Sequence, residues 1–107
     1  MANKDEVYEL PTGFALPPVH PGETLGDELV VRGLSAHALA LKLRVPANRI
    51  SEIIAGKRGV SPETALRLGR YFGNGPAFWV SLQGQYDLAV AQRELGARVA
   101  AEVEAAA

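Results

Sequence analysis

Cysteine is absent from the 107 residues, and histidine occurs only twice, as His20 and His37. The first absence excludes a disulfide framework, a thiolate nucleophile and a cysteine-ligated zinc site. It also fits a reducing cytoplasm, the expected location. With two separated histidines, no nucleophile–base–acid trio assembles, so neither catalysis nor a cofactor or metal is expected. Long apolar runs are missing too. None approaches the roughly 20 residues of a membrane span, and MANKDEVYELPTGF lacks the apolar core of a secretion signal. Gly56, Gly59, Gly73 and Gly75 stand where helices stop rather than in a phosphate loop, and no stretch alternates with period two for long enough to make a strand.

What is there is a chain of 48% hydrophobic residues, enough for one modest core. Residues 1–19, with Pro11, Pro17 and Pro18, read as a flexible arm. The His-to-Glu spacing in His20-Pro21-Gly22-Glu23 suggests half of a metal site, but a second ligand pair is lacking and a helix-entry cap is the better reading. Leu25, Leu29 and Val30 give the first helix its apolar side, and Arg32-Gly33 stops it. Ser35 caps a second helix with Ala36, Leu39, Ala40 and Leu43 inward. Pro46 opens a third and Gly56 closes it. Ser61-Pro62-Glu63 starts a fourth, striped by Ala65, Leu68, Gly69 and Phe72 and ended by Gly73-Asn74-Gly75. Pro76 starts a fifth, in which Phe78, Trp79 and Tyr86 suit core and dimer packing. The Ala-rich tail favours helix, with Leu88, Leu95, Val99 and Val103 near one face. The fold class is all-α: a five-helix core over 20–86 with a helical extension over 87–107.

The net charge of −1 hides an asymmetry. Between residues 42 and 70, seven basic residues (Lys42, Arg44, Arg49, Lys57, Arg58, Arg67 and Arg70) face only Glu52 and Glu63, a net of +5, while the rest of the chain carries −6. A basic middle between acidic flanks fits a phosphate-facing patch with low non-specific affinity. Within it, steps of about 100° per residue place Asn48, Ser51, Glu52 and Ala55 on one face of the third helix. Ile50, Ile53 and Ile54 fall on the other, with Ala47 and Arg49 flanking the polar face. Two short helices joined by a tight turn, with a third behind, are the arrangement of helix-turn-helix readers. Asn48 suits adenine, Arg49 guanine and Glu52 cytosine, and Ser51 suits a base or a phosphate. Lys57 and Arg58 follow the helix, where they would hold the DNA backbone, and His37 lies on the helix expected to cross it. An ordinary solvated surface helix has the same periodicity, so the pattern alone leaves both readings open.

The runs HPGETLGDEL, LSAHALALKLRVPANRISEIIAGKRGVSPETALRLGRYFG and FWVSLQGQYDLAVAQRE extend the argument. From His20 to about Arg93 the chain resembles the HigA-type antitoxins, a branch of the lambda-repressor-like (XRE) helix-turn-helix group. The FW…LQ…YDL segment singles out that branch. The resemblance implies a sequence-specific repressor that binds double-stranded operator DNA of its own operon as a homodimer. It also implies a cognate toxin protein that the antitoxin neutralises. By position it places Ala47, Asn48, Arg49, Ser51 and Glu52 on the recognition helix and Lys57 and Arg58 on the following loop. Two positions depart from the wider group. Ala36 stands where many relatives carry a phosphate-contacting Gln, and Arg44 stands at a turn position often taken by Gly, adding a positive charge. A stand-alone regulator without a toxin, and a protein-interaction module that no longer reads DNA, are the alternatives. The tail stripe is read as dimerisation support in preference to a toxin-docking surface.

Overall fold

The computed structural model describes residues 17–106; the expected arm over 1–19 lies almost wholly outside them. Five helices and no strand occur among the described residues: α1 (Pro21–Arg32), α2 (Ala36–Leu43), α3 (Ala47–Ile54), α4 (Pro62–Phe72) and α5 (Pro76–Glu102). Val19–Gly84 form one compact unit, and from Gln85 onward the chain belongs to a second.

Helix boundaries follow from local chemistry. The His20 imidazole Nδ1 accepts from the Gly22 amide at 2.9 Å, the Ser35 hydroxyl from the Ala38 amide at 3.0 Å and the Ser61 hydroxyl from the Thr64 amide at 3.2 Å. Each satisfies an amide that the first helical turn leaves without a partner. His20 is thus a helix cap. At the other ends, Gly33 and Gly73 take the left-handed conformation and their amides bond back into the last turn, the usual way of satisfying final carbonyls.

The unit Val19–Gly84 is built on one apolar cluster. Leu25 and Leu29 of α1, Leu39, Ala40 and Leu43 of α2, Ile50 and Ile53 of α3, Val60 of the following loop, Ala65 and Leu68 of α4 and Trp79 of α5 are all buried in it. Trp79 is fully enclosed, and its indole N–H donates to the Asn74 side chain at 3.0 Å, so the one polar atom of a large apolar residue is matched. Phe72 lies beside it with ring centroids 5.9 Å apart. Phe78 meets Trp79 edge to face at 5.2 Å but stays exposed, so its role as a core residue is only partial. Val30 departs further from expectation. It is 81% exposed, because Leu25 and Leu29 lie one above the other on α1 and the next residue is rotated about 100° away. Ile54 is half-buried rather than buried.

Close approach rather than turn geometry fixes Gly22. A Cβ built there would collide with the Ile53 carbonyl, so the first turn of α1 lies directly on the end of α3. This contact sets where α3 sits.

Helix α5 is unbroken for 27 residues. Leu88, Leu95 and Val99 in its later part, and Val103 just past its end, remain 40–65% exposed. The stripe is therefore incompletely covered in the single chain.

Candidate nucleic-acid interface

Helices α2 and α3 form the centre of the site, α3 packing mainly on α2 and α1. The turn between them depends on Arg44, the one described non-glycine residue with positive φ (φ 59°, ψ 46°). Its amide bonds back to Ala40 and Leu41, and the Val45 amide reaches the Ala40 carbonyl at 3.1 Å. The left-handed turn is thus made with arginine, a residue whose side chain disfavours it. An L side chain in this conformation costs about 1–2 kcal/mol, partly offset by the lower chain entropy it gives the unfolded state. Arg44→Gly should accordingly raise stability by less than about 1 kcal/mol. It should also weaken DNA binding and flatten its salt dependence by about one unit of slope. Thermal melts and a salt titration on the same variant check both signs.

The outer face of α3 presents Ala47, Asn48, Ser51 and Ala55, all exposed, while Ile50 and Ile53 anchor the opposite face in the core. Pro46 provides no side-chain cap for α3, and the Arg49 amide bonds to the Pro46 carbonyl at 3.0 Å, so the Ala47 and Asn48 amides look to water or to an external oxygen. The Ser51 hydroxyl donates to the Asn48 carbonyl at 3.1 Å and keeps its lone pairs for an outside donor.

Glu52 is otherwise engaged. One carboxylate oxygen accepts from Arg58 Nε at 2.9 Å and the other from Asn48 Nδ2 at 2.9 Å. The Arg58 hydrogen bond, more than any other influence, holds its carboxyl below the ordinary value, and Asn48 and Lys57 act in the same direction. Glu52, the expected cytosine acceptor, thus links α3 to the loop that follows it. It leaves Asn48 with a carbonyl oxygen and a second N–H, the pair an adenine edge requires.

Arg49 turns away from the outer face. Its guanidinium Nη1 lies 3.4 Å from the Thr64 hydroxyl and 3.9 Å from a Glu63 oxygen at the start of α4, with 22% of the side chain exposed. Its Nε is buried without a hydrogen-bond partner among the described residues. Glu63 also pairs with Arg67 at 3.2 Å, and Arg67 donates to the Leu43 carbonyl at 2.9 Å. The first turns of α4 thus tie the end of α2 to the side of α3 through two arginines: Arg49, expected at a guanine, and Arg67, expected only in the basic patch.

Of the seven basic residues, Arg49, Arg58 and Arg67 are engaged internally, whereas Lys42, Arg44, Lys57 and Arg70 are exposed and have no hydrogen-bond or ion-pair partner among the described residues. His37 is exposed in the first turn of α2. Sequence reading missed one further contributor. The Gln83 side chain in α5 accepts from the Val60 amide at 2.8 Å. Only the FWVSLQ motif pointed toward it, and without a role. No group of three or more histidine, aspartate or glutamate side chains is placed to hold a metal among the described residues, and none of the described helices is long and apolar enough to cross a membrane.

A short helix with one buried face, carried on a left-handed turn and backed by α1 and α4, defines a helix-turn-helix domain. A family model described as helix-turn-helix matches residues 32–79. Virulence-associated protein I of Dichelobacter nodosus is 49% identical over 80 residues, spanning 74% of each chain. The solved structure of an addiction module antidote protein of the HigA family from Coxiella burnetii superposes with a TM-score of 0.82 at 40% identity, over 85% of this chain and 100% of that one. The Pseudomonas aeruginosa antitoxin HigA, solved with the higBA promoter, gives a TM-score of 0.79 at 43% identity, over 81% and 96% of the two chains. The chain belongs to the HigA-type antitoxins of the helix-turn-helix family.

Proposed function

We propose that this chain is a sequence-specific DNA-binding repressor that serves as the antitoxin of a HigB/HigA-like toxin–antitoxin pair. It binds the double-stranded operator of its own operon and neutralises the cognate toxin protein, acting by binding rather than catalysis. The carrying observation is α3: its apolar face is locked in the core, its outer face offers Asn48 and Ser51, and the exposed cations Arg44 and Lys57 lie at its two ends. Asn48 supplies base recognition, Ser51 and Ala47 line the groove, and Arg44, Lys57 and His37 hold phosphates. The likeness to an antitoxin solved with its promoter supports the same use here. A homodimer is part of this reading. It would set two α3 helices about 34 Å apart, in successive major grooves, and a second copy would cover the exposed stripe of α5.

Fluorescence anisotropy with the duplex from directly upstream of the gene, against a scrambled duplex and across a salt series, tests the DNA reading. Selective binding that weakens steeply with salt is the expected result. Equal and weak binding to both duplexes would sink it. Co-purification with the product of the adjacent gene tests the toxin half.

A further inference from the structure

Three anchors hold the loop that follows α3. The Lys57 amide donates to the Glu52 carbonyl at 2.9 Å, and the Arg58 side chain pairs with the Glu52 carboxylate at 2.9 Å. The third comes from outside the helix-turn-helix pair: Val60 is buried in the core, and its amide is taken by Gln83 Oε1 at 2.8 Å, from a helix 23 residues further along. The Gln83 amide also lies flat against Gly59, where a Cβ would stand 2.9 Å from Oε1 and 3.0 Å from Cδ. Between these anchors, the Lys57 side chain is exposed, with no hydrogen-bond or ion-pair partner among the described residues.

We infer that Gln83 is a positioning residue for DNA binding: by fixing Val60 and Gly59 from α5, it sets the path of the loop that carries Lys57 to the phosphate backbone. The inference rests on the DNA-binding reading above. An exposed lysine on an untethered loop spends its charge over many positions. One on a loop fastened at both ends meets a phosphate with less ordering to lose. Gln83 is suited to the task because a neutral amide accepts from a backbone N–H without placing a negative charge behind a phosphate-facing loop. A Cβ at position 59 would crowd the same amide and shift the end of the Gln83 side chain.

The experiment is a double-mutant cycle read by anisotropy on the upstream and scrambled duplexes, using full-length protein. Gln83→Met keeps the length of the side chain and removes the acceptor. It should bind the upstream duplex roughly tenfold more weakly, with the salt slope reduced by about 0.9, the signature of one lost phosphate contact. Lys57→Ala should cost a similar factor in the wild-type background and almost nothing further in Gln83→Met. A merely structural role would lower the melting temperature but leave the two substitutions multiplicative. Gly59→Ala, which crowds the same amide from the loop side, should reproduce the signature and serves as the readout if Gln83→Met does not fold. Unchanged affinity and slope in whichever of these variants folds, or multiplicative losses, overturn the inference. Failure of the wild type to prefer the upstream duplex instead overturns the DNA reading, and the inference with it.

Discussion

Gly22→Ala is expected to destabilise the fold by about 3 kcal/mol or more. Two effects oppose each other. Alanine is the better helix former, worth about 1 kcal/mol over glycine inside a helix. Against this stands a Cβ directed into the Ile53 carbonyl and the backbone of Ile54. Those are main-chain atoms at the end of α3, which no rotamer change can move aside. Either α1 lifts off α3 and opens the contact beside Leu25, or α3 shifts within the core; overpacking of this kind costs roughly 1–3 kcal/mol, and more where backbone must move. The melting temperature should fall by roughly 12–24 °C, taking 4–8 °C per kcal/mol for a domain of this size. DNA affinity should fall with it, because the displaced element is the reading helix. A melt within a few degrees of the wild type would show that α1 and α3 are less closely apposed than described.

Asn48→Ala and Arg49→Met should separate recognition from support. Asn48 is exposed at the start of α3 and its amide is oriented by Glu52. Removing it should cost roughly 1–3 kcal/mol of specific binding. The melt should change by no more than a few degrees, since Glu52 keeps its bond to Arg58. Arg49→Met keeps an apolar stem where Arg49 lies against α4 and removes a buried Nε that has no partner among the described residues. An unmatched buried donor is costly, so stability should shift by less than about 1 kcal/mol in either direction. Specific affinity should stay within about threefold. Competition between the upstream duplex and single-base variants decides the matter. If Arg49→Met loses specificity at one guanine while Asn48→Ala does not, the two assignments are reversed.

The difference between these two neighbours shows where local sequence stops being informative. A helical wheel places Arg49 beside the polar face, which is correct for its Cα. The direction of the guanidinium depends on Thr64 and Glu63, fifteen and fourteen residues away, and on how α4 packs. Glu52 is similar: its position on the outer face was legible, but its two engaged oxygens reflect an arginine across the following turn. In Arg44 the backbone chose the left-handed turn because the α2–α3 packing demands it, against the preference of the side chain.

Local chemistry by itself determined the helix starts at His20, Ser35 and Ser61, the stops at Gly33 and Gly73, and the division of α3 into an isoleucine face and a polar face. Capping bonds and helical periodicity act within three or four residues, so they are written into consecutive letters. Only the tertiary structure decided which cations are engaged internally, why Gly22 must lack a side chain, and that Gln83 reaches the loop after α3. Those outcomes depend on groups brought together from distant parts of the chain, where a hydrogen bond or a collision at 3 Å is set by the packing of whole helices.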